Sequence, residues 1–135
     1  MNDGIIRFTQ FDERQLYTVM YKAEHSGGYV GYIRGCYSQT VEDFFREVSC
    51  SFRFPYYFGM NWAAFDECLS DLEWLSFSHV LFIIDSAELL FINEKTRKDC
   101  VKILLKCLDG TATYWREQRK PFICMINQLR GQFSD

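Results

Sequence analysis

The run Val80–Ile84, with the sequence VLFII, constrains the fold of this chain more than any other segment. It is short, uninterrupted by polar residues and rich in β-branched side chains, which is typical of a strand buried on both faces of a parallel sheet. Tyr29–Arg34 (YVGYIR) and Pro121–Asn127 (PFICMIN) have a similar character. Strands of this kind, separated by helical segments, predict an α/β fold: a small three-stranded parallel sheet packed with helices.

The segments between these strands have the apolar periodicity of helices. Ser38 or Thr40 can cap a helix that follows the first strand. A long helix is predicted over residues 94–108. Asp109-Gly110 is expected to break it, and the helix is expected to resume over residues 111–119.

The first residues of the chain predict a strand and a helix of their own. Residues 4–11 alternate in part between apolar and polar side chains, and Asp12–Glu24 has one apolar helical face. The sequence His25–Gly28 then interrupts regular structure. We therefore expect one domain over residues 1–135, in which an N-terminal extension (1–27) adds cover to the core and a strand to the edge of its sheet (28–135).

Composition excludes several classes of protein. The net charge of −3 opposes non-specific binding to nucleic acid, which needs a basic surface. No apolar run is long enough to span a membrane and no signal segment opens the chain, so a cytoplasmic location is expected. His25 and His79 complete no metal-ligand set, and we predict neither metal nor cofactor. The cysteines show no paired spacing and most lie among apolar residues, which favours free thiols in the core; they are Cys36, Cys50, Cys68, Cys100, Cys107 and Cys124.

Phe54–Trp74 carries the pattern that bears most on function. An aromatic turn leads to Asn61, whose side chain can cap a helix. The predicted buried face of that helix comprises Phe65, Cys68, Leu69 and Leu72, and its outer face comprises Ala63, Asp66, Glu67, Ser70 and Asp71. Residues 54–93 contain no Lys or Arg, so this part of the chain is strongly acidic and suits a cationic partner.

This segment, FPYYFGMNWAAFDECLSDLEW, resembles the barstar family of intracellular ribonuclease inhibitors. The family phrase has the form F-P-x-Y-F-G-x-N-W-D-A-L-x-D-C-L-x-D-L. The matching residues are Phe54, Pro55, Tyr57, Phe58, Gly59, Asn61, Trp62, Ala64, Cys68, Leu69, Asp71 and Leu72. The close match covers about twenty residues, with the order of strands and helices extending it from about Gly28 to the C-terminus. The resemblance implies a three-stranded parallel sheet with helices packed around it.

By this resemblance, the surface that faces a ribonuclease includes Tyr57, Gly59, Asn61, Asp66, Glu67 and Ser70, with Ala63 and Asp71 beside them. Glu67 is predicted to be the central anchor. Ala63 stands where the family phrase has an aspartate, and we expect Asp66 to replace part of that missing charge. Trp62 and Phe65 are assigned to the core.

Three of these positions have a structural alternative. Tyr57 could pack beneath its loop, Gly59 could supply a special backbone conformation, and Asn61 could serve as both cap and contact.

The sequence thus predicts a monomeric, stoichiometric inhibitor of a basic ribonuclease, acting as the immunity protein of a secreted or contact-delivered toxin. The alternative is an interaction module of the same fold for a basic partner that is not a nuclease, and a homodimer also stays open. An enzyme is not expected. Asp66 and Glu67 are adjacent on a helix and cannot bracket a substrate, and Cys68 beside Glu67 would be a poor nucleophile.

Overall fold

Four parallel strands form one sheet in the computed structural model, which describes residues 5–128. The strands are β1 (Ile6–Thr9), β2 (Gly28–Arg34), β3 (His79–Asp85) and β4 (Phe122–Asn127). The helices are α1 (Glu13–His25), α2 (Val41–Phe52), α3 (Trp62–Leu69) and α4 (Arg97–Glu117), and 3-10 turns occupy Gly35–Tyr37 and Ala87–Leu89. The order β1-β4-β3-β2 confirms the parallel α/β class and corrects the number of strands from three to four.

Strand β3 lies between β2 and β4 and is buried on both faces, as its continuous apolar sequence predicts. Its even-numbered apolar residues, Val80, Phe82 and Ile84, belong to the larger core, which lies under α2, α3 and α4. Leu81 and Ile83 belong to a second core on the other face of the sheet. The alternation of side chains along a strand therefore supplies both cores from one sequence run.

The N-terminal segment provides the cover for that second face. Leu16 and Ala23 of α1 are buried against it, together with Met125 of β4. Strand β1 pairs with β4 in parallel, with Ile6 opposite Cys124. The expected additional edge strand and cover are therefore confirmed, and β1 is the strand that the three-strand prediction did not count.

Helix α4 continues without a break through Asp109-Gly110, so the predicted interruption is wrong. Gly110 is exposed, and a Cβ atom built on it would meet nothing within 4 Å. On the inner side Leu108, Ala112 and Trp115 are buried against the sheet and α3. This packing outweighs the weak helix propensity of one glycine.

Thr40, not Ser38, caps α2. The Thr40 hydroxyl oxygen accepts a hydrogen bond from the Asp43 N–H at 3.1 Å. The neighbouring Val41 N–H donates to the Glu94 carboxylate at 2.8 Å, so a side chain from a distant loop completes the cap.

All six cysteines are free, and their burial differs. Cys68, Cys100 and Cys124 are buried and Cys107 is half-buried, in line with core thiols. Cys36 and Cys50 are exposed, which corrects the prediction for those two. Cys36 lies in the 3-10 turn after β2, and Cys50 lies on the outer side of α2.

Across residues 5–128, no group of three or more His, Cys, Asp or Glu side chains is placed to hold a metal ion. None of the helices in this part of the chain has the length and apolarity needed to cross a membrane.

Candidate functional site

Helix α3 begins with the predicted cap at Asn61. The Asn61 side-chain oxygen accepts a hydrogen bond from the Ala64 N–H at 2.8 Å. Its amide nitrogen donates to the Gly59 carbonyl oxygen at 3.2 Å, which ties the preceding turn to the helix. Asn61 thus satisfies one of the free N–H groups of the helix and fixes the angle at which the loop enters it.

Gly59 is not in the left-handed region, which contradicts the idea that it supplies a special backbone conformation. The residue with positive φ in this turn is Met60, at 56°. A Cβ at position 59 would approach the Asn61 amide nitrogen to 3.1 Å. Glycine is therefore favoured here because it leaves room for the capping side chain.

Helix α3 ends at Leu69, earlier than the apolar spacing predicts. Trp115 of α4 donates its indole N–H to the Leu69 carbonyl oxygen at 2.7 Å. Leu72 adopts a φ of 47° and is still buried, at 1% exposed, so the chain turns inward there. Asp71 consequently lies in a turn beyond the helix and not on its face.

Aromatic side chains anchor the loop and the inner side of α3. Phe65 is fully buried, and the half-buried Trp62 lies with its ring centroid 5.0 Å from that of Phe45. Phe58 of the loop contacts Phe45 and Phe54 edge to face, at 5.7 and 4.9 Å between centroids. The core assignment is confirmed for Phe65, while Trp62 packs at the margin of the core.

The outer side of the segment is open to solvent. Ala63, Asp66, Glu67 and Asp71 are exposed, and Ser70 is half-buried. Tyr57 is 64% exposed, which rules out packing beneath its loop. The name α3 surface is used below for the following residues: Tyr57, Gly59, Asn61, Ala63, Asp66, Glu67, Ser70 and Asp71.

Charges on this surface fall on two sides of α3. Partial desolvation, followed by the charges of Asp71, Cys68, Glu73 and Glu67, raises the pKa of the Tyr57 hydroxyl. These acidic side chains thus lie near the Tyr57 side of the helix. Asp66 lies on the other side, near α4. There burial and then the Asp66 charge raise the pKa of Cys107, and the charge of Lys106 opposes them in part.

Cys68 has a raised pKa, caused first by burial and then by Glu67 and Asp71. A thiol that is harder to ionise is a weaker nucleophile, so this direction opposes a catalytic role for Cys68.

A comparison with known protein families gives a match that covers most of the chain. The model of the Barstar family, described as Barstar (barnase inhibitor), matches residues 29–127. The chain belongs to the barstar family. A comparison with curated proteins gave no match.

The barstar-family match begins within β2 and ends with β4, so it contains the whole α3 surface and leaves out β1 and α1. Those two elements cover the second face and one edge of the barstar-family sheet in this chain. The segment that matches the family, residues 29–127, therefore includes the acidic residues of the α3 surface.

Within residues 5–128, no salt bridge includes Asp66, Glu67 or Asp71. In the described part of the chain, the salt bridges join Arg34 to Glu47 and Arg46 to Glu42 and Asp43. Asp66 and Glu67 stand in the last turn of α3 and Asp71 follows its end, where the negative end of the helix dipole disfavours anions. The helix dipole therefore predicts that this placement costs the free protein some stability.

Sequence reasoning missed three contributors to this surface. Tyr56 is fully exposed and lies edge to face against Tyr57, with centroids 5.8 Å apart. Met60 is exposed beside them, and Glu73 adds charge near Tyr57. A fully exposed tyrosine cannot be recognised from local sequence, because the aromatic residues around it are mostly buried.

Proposed function

We propose that this barstar-family protein is a stoichiometric inhibitor of a basic ribonuclease, and that it serves as the immunity protein of a secreted or contact-delivered ribonuclease toxin. The observation that carries the proposal is the set of exposed carboxylates on α3 that form no salt bridge within the described residues. The family itself is one of barnase inhibitors.

The proposed mechanism is occlusion of the active site. A ribonuclease must hold RNA phosphates with cationic side chains, and carboxylates on a rigid helix can occupy the same groove. Charge-assisted hydrogen bonds from Arg or Lys to carboxylates are stronger than neutral ones, particularly where water is excluded. Opposite charge on the two surfaces also accelerates their encounter. No cofactor and no chemical step is required.

Within the α3 surface, we assign the central contact to Glu67. It is exposed and lies on the side of the helix near Tyr57 and Asp71, where negative charge is concentrated. Gly59 and Asn61 shape the adjoining turn, and Ser70 closes the far end of the helix.

Asp66 is one helical turn from Ala63, at i and i+3, so the two side chains are neighbours on the helix surface. The Asp66 carboxylate can therefore replace part of the negative charge that the alanine lacks. Asp66 also lies toward α4. We therefore expect it to contribute less to binding than Glu67.

A second function is favoured by Ala63. Loss of the family aspartate at this position removes one charge that would meet a nuclease groove. The same surface could then bind a basic partner that is not a nuclease, as an interaction module. Such a module would bind its partner without stopping RNA cleavage.

Capture from an extract of the source organism distinguishes these functions. Immobilised wild-type protein and Glu67→Lys serve as baits, with Glu24→Lys on the opposite side of the sheet as the matched control. Eluates are assayed for ribonuclease activity after heat releases the captured protein. We expect activity from the wild-type and Glu24→Lys baits only. A basic protein eluting without nuclease activity would favour the interaction module, and equal capture by all three baits would exclude Glu67 from the contact.

A further inference from the structure

A chain of side-chain hydrogen bonds links all four strands at their carboxyl ends. Thr9 of β1 donates to the Asn127 side-chain oxygen at 2.7 Å. The Asn127 amide nitrogen donates to Asp85 at the end of β3 at 3.2 Å. Tyr32 of β2 donates its hydroxyl to the other Asp85 oxygen at 2.5 Å. Asp85 is therefore a half-buried carboxylate held in a fixed orientation.

A cavity of about 320 Å³ opens beside this network, between α1 and the ends of β2 and β3. Its lining comprises Phe11, Glu13, Leu16, Tyr17, Met20, Tyr32 and Asp85. In open parallel sheets, the carboxyl ends of the strands are the usual position of ligand sites. Here the N-terminal extension (1–27) supplies five of the seven lining residues. These five precede the segment that the family model matches.

The chemistry of the lining selects for a cation. Asp85 and Glu13 are the charged groups of the cavity, and no Lys, Arg or His within residues 5–128 forms a salt bridge with either. Arg34, whose charge acts on Tyr32, is already bound by both oxygens of Glu47, at 3.0 and 2.8 Å. Asp85 accepts hydrogen bonds from Tyr32, Asn127 and the Ser86 backbone N–H, all of which are neutral donors. A half-buried carboxylate that forms no salt bridge within residues 5–128 favours a positive ligand.

The aromatic lining adds a second, independent preference for a cation. Phe11, Tyr17 and Tyr32 are three of the seven lining residues, and the faces of aromatic rings attract guanidinium and alkylammonium groups. Burial, and then the hydrogen bond and the charge of Asp85, raise the pKa of Tyr32. The Tyr32 hydroxyl therefore keeps its proton and donates it to Asp85.

We propose that this cavity binds a small organic cation that carries a guanidinium or alkylammonium group, with Asp85 and Glu13 opposite its charge and the aromatic side chains around its apolar part. The site is formed by the extension together with the ends of β2 and β3. It is separate from the α3 surface and does not rest on the proposed inhibition of a nuclease.

Nuclear magnetic resonance titration of the full chain tests this proposal. The probe is butylguanidinium, and its neutral counterpart butylurea has a similar shape and no charge. We expect saturable shifts of the Glu13, Tyr32 and Ser86 amide resonances with butylguanidinium and none with butylurea. Glu13→Gln, which alters an exposed side chain, should weaken binding about two- to fivefold, the usual loss for an exposed charge pair. Asp85→Asn should weaken it at least as much, and Glu24→Gln should leave it unchanged.

Several outcomes would overturn the proposal. Equal binding of butylurea would show that charge is not recognised. Shifts confined to other residues, or no saturable shift in the wild type, would remove the site. Because Asp85 belongs to the strand-end network, the spectrum of Asp85→Asn must first show a folded protein. If it does not, Glu13→Gln decides: unchanged affinity in this variant contradicts the proposal.

Discussion

Trp115 of α4 donates its indole N–H to the carbonyl oxygen of Leu69, the last residue of α3, at 2.7 Å. The last carbonyl groups of a helix have no partner within it, and here a side chain from another helix supplies one. The bond fixes where α3 ends. It therefore also helps to determine the position of Ser70 and Asp71, which follow the helix on the α3 surface.

Replacing Trp115 by Phe should reduce the free energy of unfolding by about 2–3 kcal/mol, because a buried carbonyl loses its partner and part of the ring volume is lost. Urea denaturation of the two proteins measures this difference. Tyr114→Phe is the control, since Tyr114 is its exposed neighbour and should have little effect. A change in Trp115→Phe no larger than in the control would mean that the bond does not hold the end of α3.

Asn61→Ala should lower stability by about 1 kcal/mol, the usual cost of losing an N-cap side chain. Asn61→Asp retains an oxygen for the Ala64 N–H and loses only the amide that donates to Gly59. Thermal unfolding should therefore rank the wild type and Asn61→Asp above Asn61→Ala. If both substitutions cost the same, the bond to Gly59 would matter more than the cap.

Gly110→Ala should stabilise the protein by about 0.5–1 kcal/mol, since the glycine lies inside α4 and a methyl group there would point to open space. The midpoint of urea unfolding gives the result. A lower midpoint would indicate that α4 is interrupted at this position, as the sequence alone predicts.

The pair formed by Glu47 and Arg34 should make stability depend on pH. The Glu47 carboxylate accepts hydrogen bonds from the Arg34 backbone N–H and guanidinium, at 2.8 to 3.0 Å. The Arg34 hydrogen bond, opposed in part by burial, holds the pKa of Glu47 below its ordinary value of 4.5. The unfolded chain then binds a proton more readily than the folded one. The contribution to stability is therefore fully present above about pH 4.5 and is lost as pH falls through the folded pKa.

Urea midpoints of the wild type and Glu47→Gln, compared at about pH 6.5 and about pH 3, measure this effect. The wild type should exceed the variant at the higher pH, and the difference should shrink at the lower one. Glu42→Gln is a matched control because Glu42 is mostly exposed in its salt bridge with Arg46. A difference independent of pH would exclude the charge of Glu47 as its cause.

The parts of the fold that sequence predicts are those determined by nearby residues. The apolar run of β3 predicts burial on both faces, and Asn61 predicts the start of α3, because both signals are local. The pairing of β1 with β4 joins residues more than a hundred positions apart, and no local pattern specifies it. Continuation of α4 through Gly110 likewise depends on the packing of Leu108 and Trp115 against the rest of the fold.

The candidate site divides in the same way. Its residues are recognised because a long run around Asn61 matches the family phrase, and the structure places that run on an exposed helix and loop. Which acidic side chains lie near one another is a tertiary property. Asp66 lies toward Cys107 of α4, whereas Glu67 lies toward Tyr57, and the spacing of residues on one helix reveals neither neighbour. The binding roles of these residues remain predictions.

Titration of the captured ribonuclease with purified protein tests the central claim most directly. Residual RNA cleavage is followed as the molar ratio of protein to nuclease increases. For the wild type and Glu24→Gln, we predict a linear fall to the background at one protein per nuclease. Glu67→Gln should require a clear excess while its unfolding temperature stays the same or rises slightly, since an unfavourable charge leaves the end of α3. Undiminished cleavage at a large excess of the wild type would contradict the account.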